Sequence, residues 1–257
     1  MSADGERGER DSGLSLEGVS KNFGGVQAIR DLSLRVPVGR IIGLIGPNGA
    51  GKTTVFNLVT GVYSVSGGVF RFYGEDITNE RPHRIVRRGI ARTFQNIRLF
   101  ESMTVLQTVQ VAQTHLAGRG VGKMLKSPGV RRQAQEARHL LEFVGLWGDR
   151  GRRATTLPYG AQRRLEIARA LGTRPRLLLL DEPTAGMTAG ESQDLLGLFR
   201  LLRARGTALF LIEHDMRVVM DICDYIYLLN FGELIVEGKP SEVQSSELAL
   251  QAYLGVS

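Results

Sequence analysis

The sequence predicts an α/β fold centred on a parallel sheet, and three stretches carry that prediction. Ile41-Ile42-Gly43-Leu44-Ile45 is an apolar run followed by Gly46-Pro47-Asn48-Gly49-Ala50-Gly51-Lys52-Thr53 and then a helix-like segment. Leu177-Leu178-Leu179-Leu180 ends in Asp181-Glu182, and Ala208-Leu209-Phe210-Leu211-Ile212 ends in Glu213-His214-Asp215. Apolar runs too short for helices read as strands buried on both faces, and open α/β sheets bind ligands at the carboxyl ends of such strands.

A chain of 257 residues with 42% apolar content can bury a large core, as one sizeable domain or a domain with an inserted subdomain. The net charge of +7 suits a protein that handles anions or works beside an anionic membrane face, and equally a solvated basic surface. Cys223 is the single cysteine, which excludes an internal disulfide and points to a reducing compartment. No secretory signal is visible at the start, and apolar runs such as Leu177 to Leu180 fall far short of the about 20 residues that a membrane span needs. The chain is therefore expected not to cross a membrane by itself.

Residues 1–13 are short on apolar side chains and are expected to form a disordered tail. Alternation through Leu14, Leu16 and Val19, and again through Leu32, Leu34 and Val36 after Gly24-Gly25, predicts two half-buried antiparallel strands. Phe23 lies before the glycine pair, either as a core side chain or as an exposed aromatic face for a base. Pro37 to Gly39 turns the chain into the Ile41 run, and Thr54 to Thr60 continues as a helix stopped by Gly61. Val69, Phe70 and Phe72 look like a strand, and Ile85 to Arg88 like a short helix ending at Gly89.

Ile90-Ala91-Arg92-Thr93-Phe94 then predicts a strand delivering Gln95 at its end. Helical periodicity follows, through Val105, Val109, Val111 and Ala112 and through Ala137, Leu140, Leu141, Val144 and Leu146, with a flexible Gly118 to Gly129 connection between. About sixty residues thus form a helical insert between strands. His115 and His139 have no metal-ligand spacing to a partner and are expected to be ordinary polar residues. Leu157-Pro158-Tyr159-Gly160-Ala161-Gln162 leads into an amphipathic helix, Arg163 to Leu171. A further helix, Gly190 to Arg203, precedes the Ala208 strand, a hairpin is expected around Asn230-Phe231-Gly232, and short helices close the chain from Pro240 to Leu254.

Chemistry concentrates at three places. The spacing G-x-x-x-x-G-K-T, between strand and helix, fits a loop whose backbone N–H groups surround a phosphate while Lys52 adds a charge and Thr53 offers a hydroxyl to magnesium; the alternative is a glycine-rich turn with an exposed lysine. Asp181 and Glu182 end a strand, at the edge where open α/β sheets bind ligands, the alternative being solvated acids in a turn. His214 ends another strand, as a functional group or a structural one.

With the loop, Gln95, the Leu157 to Gln162 stretch, Asp181-Glu182 and His214 in that order, the chain resembles the ATP-binding subunit of an ABC transporter from about Leu14 to Gly255. Ala91-Arg92-Thr93-Phe94-Gln95-Asn96, Leu157-Pro158-Tyr159-Gly160, Gln162-Arg163-Arg164-Leu165-Glu166-Ile167-Ala168-Arg169 and Ala252-Tyr253-Leu254-Gly255 are most similar to the ATPase subunits of the branched-chain amino acid importers. The lipopolysaccharide-export ATPase shares the Tyr-Leu-Gly ending, but is expected to carry a Ser-Gly-Gly type signature that this chain lacks.

The resemblance implies a P-loop NTPase core of ABC ATPase type, with an antiparallel β subdomain and an inserted α-helical subdomain. The ATP-binding core would span residues 14–95 and 157–237, the helical subdomain 96–156 and a C-terminal helical tail 238–257. ATP would be held by the loop residues Gly46, Pro47, Asn48, Gly49, Ala50, Gly51, Lys52, Thr53 and Thr54, with Phe23 stacked on adenine. Mg2+ would be held by Thr53, Gln95 and Asp181. Glu182 would act as general base or water-positioning group, with His214 and Gln95 beside it. Tyr159, Gly160 and Gln162 would close over ATP bound to a second ATP-binding subunit, identical or different.

Further implied partners are transmembrane permease subunits and, indirectly, a periplasmic or surface solute-binding protein, with no nucleic acid, at the cytoplasmic face of the cell membrane. Pro158 stands where many members carry a serine, Tyr159 where they carry a glycine and Thr188 where an aspartate is common. The competing readings are a lipopolysaccharide-export-like ATPase, a soluble non-transport ABC ATPase acting on nucleic acid or ribosomes, and a nucleotide-binding module without turnover.

Overall fold

The computed structural model describes residues 13–114 and 128–254. The expected tail at residues 1–12, most of the Gly118 to Gly129 connection, His115 and Gly255 lie outside the described residues.

The two alternating stretches form β1 (Leu14–Phe23) and β2 (Val26–Val36), paired antiparallel with Leu14 opposite Val36 and Phe23 opposite Val26. On the other edge β1 pairs antiparallel with β4 (Gly67–Phe72), which pairs with the two-residue β5 (Glu75–Asp76), giving the order β2-β1-β4-β5. The second sheet holds β3 (Ile41–Ile45), β6 (Ile90–Arg92), β7 (Leu177–Asp181), β8 (Ala208–Ile212), β9 (Tyr225–Asn230) and β10 (Glu233–Gly238) in the order β10-β9-β3-β8-β7-β6. All its neighbours run parallel except β10 against β9.

The continuous apolar runs are explained by what covers each face. Ile42, Leu44, Leu177, Leu179, Phe210 and Ile212 face one core, shared with the first sheet and with Val55 and Phe56 of α1 (Lys52–Val59). Ile41, Ile45, Leu178, Leu180, Leu209 and Leu211 face a second core, shared with the helices. Neither face meets water, so no polar alternation survives in these strands.

On the helical side lie α3 (Val105–Gln113), α4 (Pro128–Phe143), α5 (Tyr159–Leu171) and α6 (Ala189–Ala204), while α2 (Pro82–Arg88) precedes β6. Val105 and Val109 of α3, and Ala137 and Leu141 of α4, pack with Leu165 of α5 in the second core. The insert is closed at its root by backbone pairing: Val105 N donates to Arg152 O at 3.0 Å and Ala154 N to Met103 O at 3.0 Å. Thr104 caps α3 reciprocally with Gln107, and Thr188 caps α6 in the same way with Glu191. The chain ends on α7 (Met216–Ile222), the β9–β10 hairpin, α8 (Pro240–Gln244) and α9 (Glu247–Leu254).

The short helix expected from Ile85 begins at Pro82, and two boundaries nearer the candidate site also differ from expectation. The strand expected through Phe94 ends at Arg92, although Thr93 N still donates to Leu179 O at 2.9 Å. The helix expected from Arg163 begins at Tyr159, with Pro158 at its N-cap, so the Tyr159 to Gln162 stretch is the first turn and not a lead-in. Proline before the first turn supplies a fixed φ and needs no N–H, which makes a helix start that apolar periodicity alone misses.

Phe210 is fully buried, with its ring 5.1 Å from that of Phe56, joining the central strand to the helix after the loop. Phe210→Ala is expected to cost about 3–5 kcal/mol in urea unfolding, from lost burial and a residual cavity; a cost below about 1 kcal/mol would show that this contact does not hold α1 to the sheet.

Candidate active site

Between β3 and α1 the loop residues Gly46, Gly49 and Gly51 have φ of 145°, 82° and 103°, a region that side-chain-bearing residues rarely enter. A Cβ on Gly46 would lie 2.0 Å from Leu229 O, and one on Gly51 would lie 2.7 Å from Ile29 Cδ1. Phe231 and Gly232, both at positive φ, form the two-residue turn of the β9–β10 hairpin and clamp this loop. Gly232 N donates to Ala50 O at 3.0 Å, and Gly232 O accepts from Arg30 N at 2.9 Å, tying the loop to β2.

α1 starts at Lys52 without a side-chain cap, so its first N–H groups and its positive end face the loop. Lys52 is buried, and its Nζ donates to Gly46 O at 2.6 Å and Pro47 O at 2.9 Å. Burial holds its ammonium below the ordinary lysine range, and the Glu182 and Asp181 carboxylates pull it part of the way back. Thr53 is exposed and Thr54 half-buried on the same first turn.

Asp181 ends β7 and is 5% exposed, a buried carboxylate that needs partners. Arg92, at the end of β6, supplies one through Nη2 to Asp181 Oδ2 at 2.8 Å, while its Nη1 donates to Asn57 Oδ1 of α1 at 2.7 Å. The Arg92 guanidinium also lies over the rings of Phe56 and Phe94, at 5.5 and 5.1 Å from their centroids. Glu182 follows at φ 45°, a left-handed conformation held by its own N–H donating to Ile212 O at 2.9 Å. One oxygen of its carboxylate, Oε2, accepts from Gln95 Nε2 at 2.9 Å and lies 3.6 Å from His214 Nδ1. Gln95, Glu182 and His214 thus meet at one atom, and Lys52 lies within electrostatic reach of both carboxylates.

Beside His214, the buried Glu213 accepts from Thr184 N at 3.1 Å and Thr184 Oγ1 at 2.7 Å, which ties the segment after Glu182 to the end of β8. Burial pushes the Glu213 carboxyl above its ordinary range, and these two hydrogen bonds offset part of the rise.

The first turn of α5 forms a different wall. Tyr159 is 44% exposed and touches Arg163 and Gly186, where an added Cβ would lie 3.3 Å from the Tyr159 ring. At Gly160 an added Cβ would meet the Glu191 side chain, with Oε1 at 2.4 Å, which would have to shift. Gln162 Nε2 donates to Leu157 O at 2.8 Å and Thr155 O at 3.2 Å, bracing the turn before the helix. Phe23 is not a core residue: it is 42% exposed at the tip of β1, edge-on to Tyr63 at 5.1 Å, with Lys21 Nζ 4.8 Å from its centroid. His139 lies exposed on α4 beside Glu142.

The sequence reading missed Arg92 as the partner of Asp181, and it missed the buried pair of Arg163 and Glu166, whose Arg163 reaches Phe94 O and Gln95 O at 2.7 Å each. The available signal was a charged residue inside an apolar stretch, Arg92 after Ile90-Ala91, and Arg163 and Glu166 one helical turn apart on an otherwise apolar face.

As to a metal, no group of three or more His, Cys, Asp or Glu that could hold one occurs among the described residues. One carboxylate, Asp181, with the Thr53 hydroxyl and the Gln95 amide is the sparse oxygen set that suits Mg2+, which takes its remaining ligands from water and phosphate.

Comparison with known proteins agrees with this geometry. Residues 29–185 match the ABC transporter family. The chain is 44% identical over 248 residues to the high-affinity branched-chain amino acid transport ATP-binding protein BraF of Pseudomonas aeruginosa, covering 94% of this chain and 97% of that protein. It is 42% identical over the same length, with the same coverage, to the corresponding protein LivG of Escherichia coli K12. Its fold is similar to the crystal structure of the ADP conformation of MJ1267, an ATP-binding cassette of an ABC transporter, with a TM-score of 0.84, 31% identity and coverage of 94% and 98% of the two chains. A loop built to grip phosphate, two carboxylates at the adjoining sheet edge and likeness over nearly the whole length lead to one conclusion: the chain belongs to the ATP-binding cassettes of the ABC transporter family.

Proposed function

We propose that this chain is the ATP-hydrolysing subunit of an importer for branched-chain or related amino acids. The observation that carries the hydrolytic reading is the meeting of Gln95 and His214 at Glu182 Oε2, beside the Lys52 loop. The solute class is supported by the likeness to BraF and LivG.

Hydrolysis of a phosphate anhydride needs the γ-phosphate charge neutralised and a water molecule held in line. In this reading Lys52 exchanges the Gly46 and Pro47 carbonyls for phosphate oxygens, and the backbone of Gly49 to Thr54 grips the β- and γ-phosphates. Mg2+, when held by Thr53, Asp181 and Gln95, neutralises charge between the phosphates. Arg92 pairs with Asp181 and fixes the direction of its carboxylate. Glu182 orients the attacking water and takes its proton, while His214 holds the carboxylate and contacts the γ-phosphate. Phe23 offers its exposed ring to adenine.

Tyr159, exposed at the start of α5 with the buried Gly160 behind it, faces a second ATP-binding subunit in this reading. There the backbone N–H groups of the first helical turn serve as donors to that subunit's ATP, which Pro158 cannot do through a side-chain hydroxyl. Thr188, in place of a family aspartate, is used within the chain as the cap of α6. No helix among the described residues is long and apolar enough to cross a membrane, so transport requires permease subunits. We place the chain at the cytoplasmic face of the membrane beside them, with a periplasmic or surface binding protein supplying the solute.

Glu182→Gln is expected to lower steady-state ATP hydrolysis roughly 10²- to 10⁴-fold, the range for loss of a general base, while the Kd for ATP stays within a few-fold. Unchanged turnover would remove Glu182 from the mechanism. Breaking the buried ion pair by Arg92→Met leaves Asp181 uncompensated and is expected to cost about 3–5 kcal/mol in urea unfolding; a cost near zero would mean that water screens the pair. For the transport reading, the chain reconstituted with the permeases encoded beside it is expected to drive ATP-dependent leucine uptake into vesicles. Recovery of the chain with ribosomes or DNA, and not with membranes, would favour a soluble ABC ATPase instead.

A further inference from the structure

The β6 strand delivers Gln95, but the sheet does not hold it. The last sheet-type bond is Thr93 N to Leu179 O at 2.9 Å, and from Phe94 onward the backbone is gripped by α5. Arg163, fully buried on that helix, donates from Nη1 to Phe94 O at 2.7 Å and from Nη2 to Gln95 O at 2.7 Å. The same two nitrogens donate to Glu166 Oε2 at 2.9 Å and to Tyr159 Oη at 3.2 Å. Glu166, also fully buried, accepts from Phe94 N at 3.3 Å through its other oxygen. Both polar groups of Phe94 and the carbonyl of Gln95 are therefore held by one salt-bridged pair.

Such a pair is expensive to bury, and apolar side chains of like volume often serve stability as well or better. What the pair supplies here is geometry. A planar guanidinium can hold two successive carbonyls at once, which a lysine ammonium on a flexible stem cannot. The handover falls between Thr93 and Phe94, one residue before the amide that touches Glu182. At the other end, the exposed Tyr159 at the start of α5 accepts through Oη from the nitrogen that holds Gln95 O.

We propose that Arg163, anchored by Glu166, is the positioning residue that sets Gln95 against Glu182. This deepens the proposed function and rests on its reading that Gln95 and Glu182 serve hydrolysis. Contact made on Tyr159 from outside is two hydrogen bonds from the Gln95 backbone.

The test is steady-state ATP hydrolysis by the full chain, with kcat and KM separated, for Arg163→Lys, Gln95→Ala and the double variant, together with the thermal midpoint of each. Arg163→Lys is expected to lower kcat about tenfold, the scale of one lost hydrogen bond to a charged group, with KM for ATP within about twofold. In the Gln95→Ala background it is expected to add no further loss, since its effect runs through Gln95. If Arg163→Lys does not fold, Tyr159→Phe replaces it, with a smaller kcat loss of about threefold and the same non-additivity. Unchanged kcat in the folded variant, or a loss that multiplies in full on the Gln95→Ala background, overturns the inference while leaving the hydrolytic reading in place. Full activity of Gln95→Ala alone overturns the reading of Gln95, and the inference with it.

Discussion

The rest of the structure answers to one electrostatic constraint, the placement of two adjacent carboxylates at the end of a strand that is apolar on both faces. Asp181 and Glu182 cannot be left uncompensated at such an edge. Asp181 is met by Arg92 from β6, which also binds Asn57 on α1 and lies between the rings of Phe56 and Phe94. Glu182 is met by Gln95 and His214. Arg92 and Gln95 come from the end of β6 and His214 from the end of β8, so the two strands that flank β7 in the sheet supply the partners of its two acids.

The loop completes that balance from the opposite side. Lys52 lies near both carboxylates but donates to Gly46 and Pro47 carbonyls, a poised cation whose desolvation is part of its placement. Phosphate oxygens are stronger acceptors than these carbonyls, so in the proposed function nucleotide binding and release of Lys52 from the loop would form a single exchange. The Phe231-Gly232 turn holds the loop in shape through Ala50 and joins it to β2, so the first sheet serves the site mechanically, through backbone contacts.

Much of the fold was legible because its signals are local. The Ile41, Leu177 and Ala208 runs could be read as buried strands from length and composition, and the glycine spacing announced a phosphate loop because only glycine fits where Leu229 O and Ile29 approach. The candidate acids were legible from their place at strand ends. Less legible was which buried charge meets which, since nothing local in Ile90-Ala91-Arg92 says that Arg92 turns toward a strand more than 80 residues later. The start of α5 was missed because Pro158 and Gly160 read as a turn, whereas the packing of Gly160 against the Glu191 side chain is a tertiary fact. Phe23 stayed open between core and surface until the tip of β1 was seen to stand clear of both cores.

In the proposed function Lys52 and Asp181 manage phosphate charge while Glu182, steadied by Gln95 and His214, manages water. The most direct measurement is a crystal structure of this chain with ADP, Mg2+ and aluminium fluoride as a mimic of the transferring phosphoryl group. The account predicts Lys52 Nζ on the fluoride and off Gly46 O and Pro47 O, Asp181 and Thr53 at the magnesium, and a water in line between the aluminium and Glu182. Lys52 still bound to the loop carbonyls, or an in-line water held by a group other than Glu182, would contradict it.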